Sequence, residues 1–281
     1  MKKGMVLEGG GMRGLFTAGI LDVLMENGVT VDGAIGVSAG AAFGCNMKSG
    51  QIGRALRYNL RFCNDKRYCS LRSLVRTGNL FNADFCYRVV PEQLDVFDTA
   101  AYEKDPMEFY VVATDVRDGH AVYHRCDRIG NDGYEWFRAS ASMPLVSKPV
   151  EIGGRKYLDG GIADSIPLAF FEAMGYEKNL VILTRPRSYV KKPNRLLPLM
   201  RPALLRYPKV YAAMKRRPQS YNRTLRYISK REREGSVMVL CPDAPLEVSR
   251  TDRDPKRLQA VYDQGRALAE KKLAQIKAFL N

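Results

Sequence analysis

Two short stretches decide the fold: Lys3–Gly14, KGMVLEGGGMRG, and Gly33–Gly40, GAIGVSAG. In the first, Met5-Val6-Leu7 is an apolar run of the length of a buried strand, and it breaks at Gly9-Gly10-Gly11. Apolar residues then recur at helical spacing (Leu15, Ile20, Leu21, Leu24, Met25) up to Asn27-Gly28, a helix C-cap pair, which predicts a helix over Met12–Glu26. The second stretch repeats the pattern, with a strand at Gly33–Val37, then Ser38, then a small-residue helix at Ala39–Lys48. Strand, helix, strand, helix at this spacing calls for parallel strands with crossover helices, an α/β architecture.

Working outward, Gln51–Asn64 and Asn82–Val90 read as helical. Glu108–Val116 and Ala121–Arg125 read as two strands joined by the turn Arg117-Asp118-Gly119. Asn179–Thr184 and Ser236–Cys241 are further short strands, and Pro255–Leu280 is a charged terminal helix. No repeat or low-complexity linker interrupts the chain. The expected organisation is a core over residues 1–184, followed by a basic, partly helical segment over residues 185–281. That segment either completes the same domain or forms a small appended subdomain.

The chain has 281 residues, 46% hydrophobic and 27% charged, which is the composition of a globular protein. No apolar run reaches the 18 or so residues of a membrane span, and the N-terminus meets its glycines before a signal-peptide core develops. A cytoplasmic location is the expectation. The six cysteines (Cys45, Cys63, Cys69, Cys86, Cys126, Cys241) show no paired-ligand spacing and read as reduced thiols, so no metal is expected. The net charge of +15 is concentrated: Arg185–Arg233 holds 16 Lys or Arg and one acid, Glu232, leaving 29 basic and 29 acidic residues elsewhere. Such a segment faces something anionic or is a solvated face.

The chemistry centres on Gly36-Val37-Ser38-Ala39-Gly40, the pattern of a serine presented on a sharp strand-to-helix turn. Its base is open at this level. His120 and His124, the two histidines, both lie in the predicted hairpin. Asp159, in the turn Asp159-Gly160-Gly161, is the second candidate, and Asp164 competes with it on spacing. The loop Gly9-Gly10-Gly11-Met12-Arg13-Gly14 also matches a dinucleotide-binding fingerprint at Gly9, Gly11 and Gly14. That reading needs an acid at the end of the second strand, where Val37-Ser38 stands instead; Asp32 precedes the strand. An oxyanion hole for Ser38 accounts for both glycine stretches together.

A triple-glycine loop with an arginine two residues later, then GVSAG, then ASASMP at Ala139–Pro144 and DGGIADSIP at Asp159–Pro167, in that order, resembles the patatin-like phospholipase family. The likeness covers roughly Lys3–Thr184. It implies a three-layer α/β/α fold with a mainly parallel sheet and a serine-dependent lipid acyl hydrolase without cofactor. It further implies Ser38 as nucleophile and Asp159 as base in a Ser-Asp dyad. Gly9, Gly10 and Gly11 then form the oxyanion hole with Arg13 holding that loop, and Gly14, Gly36, Gly40, Gly160 and Gly161 support the motifs. Asp164 becomes a structural neighbour. With a lipid ester as substrate, the basic residues 185–233, interleaved with Leu196, Leu199, Leu205 and several tyrosines, suit peripheral contact with an anionic membrane at its inner surface. Nucleic-acid binding is the alternative for that segment, with no recognised motif beside the charge.

Overall fold

The computed structural model describes residues 1–130 and 132–281. The chain runs β1 (Lys2–Leu7), a tight turn at Gly11–Arg13, α1 (Gly14–Glu26), β2 (Gly33–Val37), α2 (Ala39–Lys48), α3 (Arg54–Phe62) and α4 (Leu71–Thr77). A π-type helix at Phe85–Leu94 precedes α5 (Thr99–Lys104), β3 (Glu108–Asp115), β4 (Ala121–Arg125) and α6 (Gly133–Ser140). The remainder holds β5 (Val150–Ile152), β6 (Arg155–Asp159), α7 (Leu168–Ala173), β7 (Tyr176–Ile182), α8 (Leu197–Met200), α9 (Pro208–Arg233), β8 (Val237–Leu240) and α10 (Pro255–Leu280).

The eight strands form one sheet in the order β5-β6-β3-β2-β1-β7-β8, with β4 also on β3. β3, β2, β1, β7 and β8 are parallel; β4, β5 and β6 are antiparallel additions. Because side chains alternate along a strand, β1 feeds two cores. Met5 and Leu7 pack with Leu15, Phe16 and Leu258 under α1 and α10, while Val6 packs with Phe171, Tyr221 and Ile228 under α7 and α9. The result is a three-layer α/β/α sandwich, and each fully buried side chain contributes roughly 1.5–3 kcal/mol.

The expected elements are present with shifted ends. The helix expected at Asn82–Val90 runs instead as a wider π-type turn over Phe85–Leu94, because Pro91 has no N–H to donate. Asp95 N–H reaches back to Val90 O at 2.9 Å. Residues 208–233, without an assigned structure in the sequence reading, are a single helix that continues through Pro218. Val210, Ala213, Tyr221 and Ile228 bury one side of it against the sheet. The segment after residue 184 thus supplies β8, parallel to β7, and α10, packed on α1.

The α1/α10 crossing is unusually close. A Cβ on Gly265 would stand 2.0 Å from Phe16 O, and one on Gly19 would stand 2.1 Å from Tyr262 O. The crossing also carries polar ties: Tyr262 Oη donates to buried Asp22 at 2.6 Å, and Arg266 pairs with Glu26 through two bonds. We expect Gly265→Ala to force these helices apart and to lower unfolding free energy by about 1–3 kcal/mol in urea titrations. A stability equal to the wild type would contradict the tight crossing.

Candidate active site

Ser38 joins β2 to α2 with φ 55° and ψ −122°, a conformation that a non-glycine residue adopts at a cost of about 1–3 kcal/mol. Its surroundings hold it there. Ser38 N–H donates to Ser140 Oγ at 2.8 Å, and Ser140 Oγ donates onward to Val112 O at 2.6 Å. Ser38 O accepts from both Ala41 and Ala42 N–H at 3.0 Å, starting α2. The turn also presses against β1, since a Cβ on Gly40 would stand 2.3 Å from Leu7 O.

Asp159 reaches the same place through strand register. One edge of β3 is occupied by β4 over Tyr110–Thr114. The opposite edge is shared: β2 pairs with Glu108–Val112, and β6 takes over at Ala113–Asp115. Val37 is opposite Val112 and Asp159 is opposite Ala113, so the residue after Val37 and the end of β6 meet at consecutive positions of one strand. Asp159 is pinned there, its N–H on Ser142 O at 2.8 Å and its carbonyl accepting from Thr114 Oγ1 at 2.8 Å. Its Oδ1 accepts Gly161 N–H at 2.7 Å. Burial raises the Asp159 carboxyl above the ordinary range; the Arg217 charge and then hydrogen bonding from Ser38 act the other way.

The glycine loop closes a third side. Gly9 lies against the serine, where an added Cβ would come within 2.9 Å of Ser38 Cβ. Met12 N–H donates to Arg250 O at 3.1 Å, which ties the loop to the segment before α10. Among the described residues no protein acceptor takes the N–H of Gly9, Gly10 or Gly11. Behind the loop, buried Glu8 accepts from Thr184 N–H at 2.7 Å and Tyr221 Oη at 2.6 Å. Arg13 is buried with its Nε unpartnered, and burial together with Arg185 and Arg250 brings its guanidinium down to about 10.

Two cavities meet at Ser38. One is lined by Phe43, Tyr58, Phe81, Val90, Phe97 and Phe137, an aromatic and aliphatic channel between α2, α3 and the π-type helix. The other, of about 690 Å³, holds Asp159, Arg13, Arg185, Lys191, Arg217 and Arg250. Ser38 lines both.

The histidines stand elsewhere. β4 lies on the edge of β3 away from β2; His124 there stacks on Trp136 at 4.1 Å, and burial lowers its pKa. His120 is exposed in the hairpin turn. Asp164 accepts from Tyr123 Oη at 2.9 Å and from Ile166 N–H at 3.2 Å. All six cysteines are free thiols, five of them buried. No helix among the described residues is long and apolar enough to cross a membrane. Sequence reasoning did not single out Ser140, Glu8, Lys191, Arg217 or Arg250 at the site. Ser140 lies within the quoted ASASMP run, but its bond to Ser38 spans 102 residues and leaves no local pattern.

A strained serine between strand and helix at the carboxyl edge of a parallel sheet, beside a glycine loop, defines an α/β protein of the serine-elbow type. Comparison makes this specific: the profile of the patatin-like phospholipase family matches residues 5–171, more than half of the chain, and the chain belongs to that family. Residues 207–281 match a domain of unknown function (DUF6363). The chain is 33% identical over 196 residues to the Escherichia coli (strain K12) protein YjjU, covering 67% of this chain and 54% of that protein. It is 30% identical over 185 residues to lysophospholipase nte1 of Emericella nidulans, covering 61% of this chain and 11% of that protein. The matched part is thus about half of one relative's length and a small fraction of the other's. The crystal structure of VipD from Legionella pneumophila has the same fold, with a TM-score of 0.50 at 13% identity, covering 98% of this chain and 67% of that one.

Ser140→Ala removes both bonds that hold the elbow and leaves Ser38 N–H and Val112 O unpaired in a buried place. The expected loss is about 1–3 kcal/mol of unfolding free energy, read by denaturant titration. A loss below a few tenths would show that the elbow is held without Ser140.

Proposed function

We propose that the protein is a serine-dependent lipid acyl hydrolase, of phospholipase A or lysophospholipase type, working through Ser38 and Asp159. The observation that carries this reading is the position of Ser38 at the meeting of an apolar channel and a polar cavity, with Asp159 one register step away. An acyl chain fills the channel lined by Phe43, Phe81 and Phe97. That places the ester carbonyl at Ser38 and the alcohol part in the polar cavity.

In the first step Ser38 Oγ attacks the carbonyl carbon while its proton passes to Asp159. The carbonyl π-electrons move onto oxygen, and the N–H groups of Gly9, Gly10 and Gly11, free of protein acceptors, hold the oxyanion. Collapse breaks the bond to the alcohol, which takes the proton from Asp159. A water then attacks the acyl-Ser38 ester with Asp159 again accepting a proton; the bond to Ser38 Oγ breaks, Oγ takes that proton back from Asp159, and the fatty acid leaves. Burial of Asp159 strengthens it as a base, because it shifts the carboxyl toward the range where a proton is both accepted and returned. Arg13 steadies the glycine loop, with the Glu8 charge favouring its guanidinium.

Residues 185–281 complete the same domain in this reading, since β8 extends the sheet and Lys191, Arg217 and Arg250 line the polar cavity. The same segment docks on anionic lipid. Val190, Leu196, Leu199 and Leu205 are exposed, close in sequence to Lys192, Arg195, Arg201 and Arg206. Leu197 and Met200 from this stretch line the polar cavity beside Leu145. Each cation near an anionic surface adds about 1 kcal/mol.

Hydrolysis of a short-chain soluble ester tests the dyad. Ser38→Ala is expected to abolish turnover, and Asp159→Asn to reduce kcat about 10²–10⁴-fold. Because the Asp159 pKa is raised, turnover should fall as pH drops through a value above the ordinary carboxyl pKa of about 4. Arg217→Gln, which removes a charge that favours the carboxylate, should move that acid limb upward. Full activity in Asp159→Asn would eliminate the proposed base.

A further inference from the structure

The polar cavity carries more positive charge than the proposed chemistry uses. Arg13, Arg185, Lys191, Lys192, Arg217 and Arg250 all line it, against two carboxylates, Glu8 and Asp159. Nearby ion pairs are made by other arginines, Arg187 with Glu232 and Arg231 with Glu172. Among the described residues none of the six cavity cations stands within 4.0 Å of a carboxylate oxygen. Glu8 is already taken by Thr184 and Tyr221. Arg13, only 6% exposed, keeps its Nε without a partner. Arg185, Lys191 and Arg217 are half-buried, and like charges gathered at one cavity repel one another unless an anion joins them.

The cations are held in place. Lys191 Nζ lies over the Tyr221 ring at 4.3 Å and over Tyr189 at 5.7 Å, and Arg185 packs over Tyr189 at 4.9 Å. Two bonds with Asn222, at 2.8 and 3.0 Å, fix the Lys191 backbone on α9. Arg217 donates to Ser165 at 3.3 Å, beside Gly161 and the candidate base. Burial and the Arg217 charge bring the Lys191 ammonium down to about 7, the behaviour of a cation lacking a counter-ion. Five of the six cations come from residues beyond the 5–171 stretch matched by the family profile.

We propose that this cluster is a subsite for the phosphate of the substrate's head group, and that the preferred substrate is an acyl ester whose alcohol carries an anionic phosphate with no cationic group attached, an acylglycerol phosphate. The inference rests on the hydrolase reading above and adds the substrate class. With the acyl chain in the apolar channel and the carbonyl at Ser38, a phosphate a few bonds along the alcohol enters the field of Lys191, Arg185 and Arg217. A head group ending in a quaternary ammonium would bring a like charge into that field, so the same cluster selects against it.

The test compares three soluble substrates with the same short acyl chain, below their micellar concentrations: the acylglycerol phosphate, its phosphocholine counterpart and the neutral monoacylglycerol. The wild type should favour the first by at least about 10-fold in kcat/KM. Lys191→Gln and Arg185→Gln should each lower kcat/KM on it about 10-fold while leaving the monoacylglycerol within about twofold, and Lys191→Arg should retain most of the preference. Turnover of all three substrates with no preference, or a preference untouched by both variants, would overturn the subsite and leave the hydrolase reading standing. No turnover of any of them by folded wild type would overturn both. Calorimetry on Ser38→Ala with an ether-linked analogue separates the sources of phosphate. The analogue should bind at least about 10-fold more tightly than inorganic phosphate; equal affinity would mark a free-phosphate site and overturn the head-group assignment.

Discussion

The structure depends on one shared edge. β2 ends beside Val112 of β3, and β6 begins its pairing at Ala113, so two strands of opposite direction abut on the same side of a third. This junction places Ser38 and Asp159, 121 positions apart in the chain, within reach of each other. Ser140 stitches it from the adjoining helix α6, joining Ser38 N–H to Val112 O. The backbone strain at Ser38 is tolerated because the hydrogen bonds and the close approach of Gly40 to β1 over-determine the turn.

Much of this was legible in the residues. The apolar run before Gly9-Gly10-Gly11 and the one before Ser38 mark the C-terminal ends of β1 and β2, and those ends form one rim of the sheet. The Asp-Gly hairpin between β3 and β4 was readable because its signal is local. What was illegible depends on distant partners. α9 contains Pro218 and nine Lys or Arg, so patterning does not mark it; its helicity comes from burying Val210, Tyr221 and Ile228 on the sheet. The bare triad alternative with a histidine base could not be closed from sequence. The structure places β4 with His124 on the opposite edge of β3, where His124 stacks on Trp136.

The excess charge also divides in a way that composition could not show. Some cations of the basic segment face outward around exposed leucines, while Arg185, Lys191 and Arg217 turn inward to the cavity beside Ser38. Outward charge acts over a Debye length and is weakened by salt, whereas inward charge acts at short range in a poorly solvated space. One segment therefore serves two parts of the proposed function, approach to a lipid surface and selection of the head group.

The most direct test of the central claim is intact-mass measurement after exposure to a lipid-like fluorophosphonate. An activated Ser38 predicts one adduct on the wild type, absent from Ser38→Ala and formed more slowly on Asp159→Asn. Failure of folded wild type to form an adduct, or an unchanged adduct on Ser38→Ala, would contradict it.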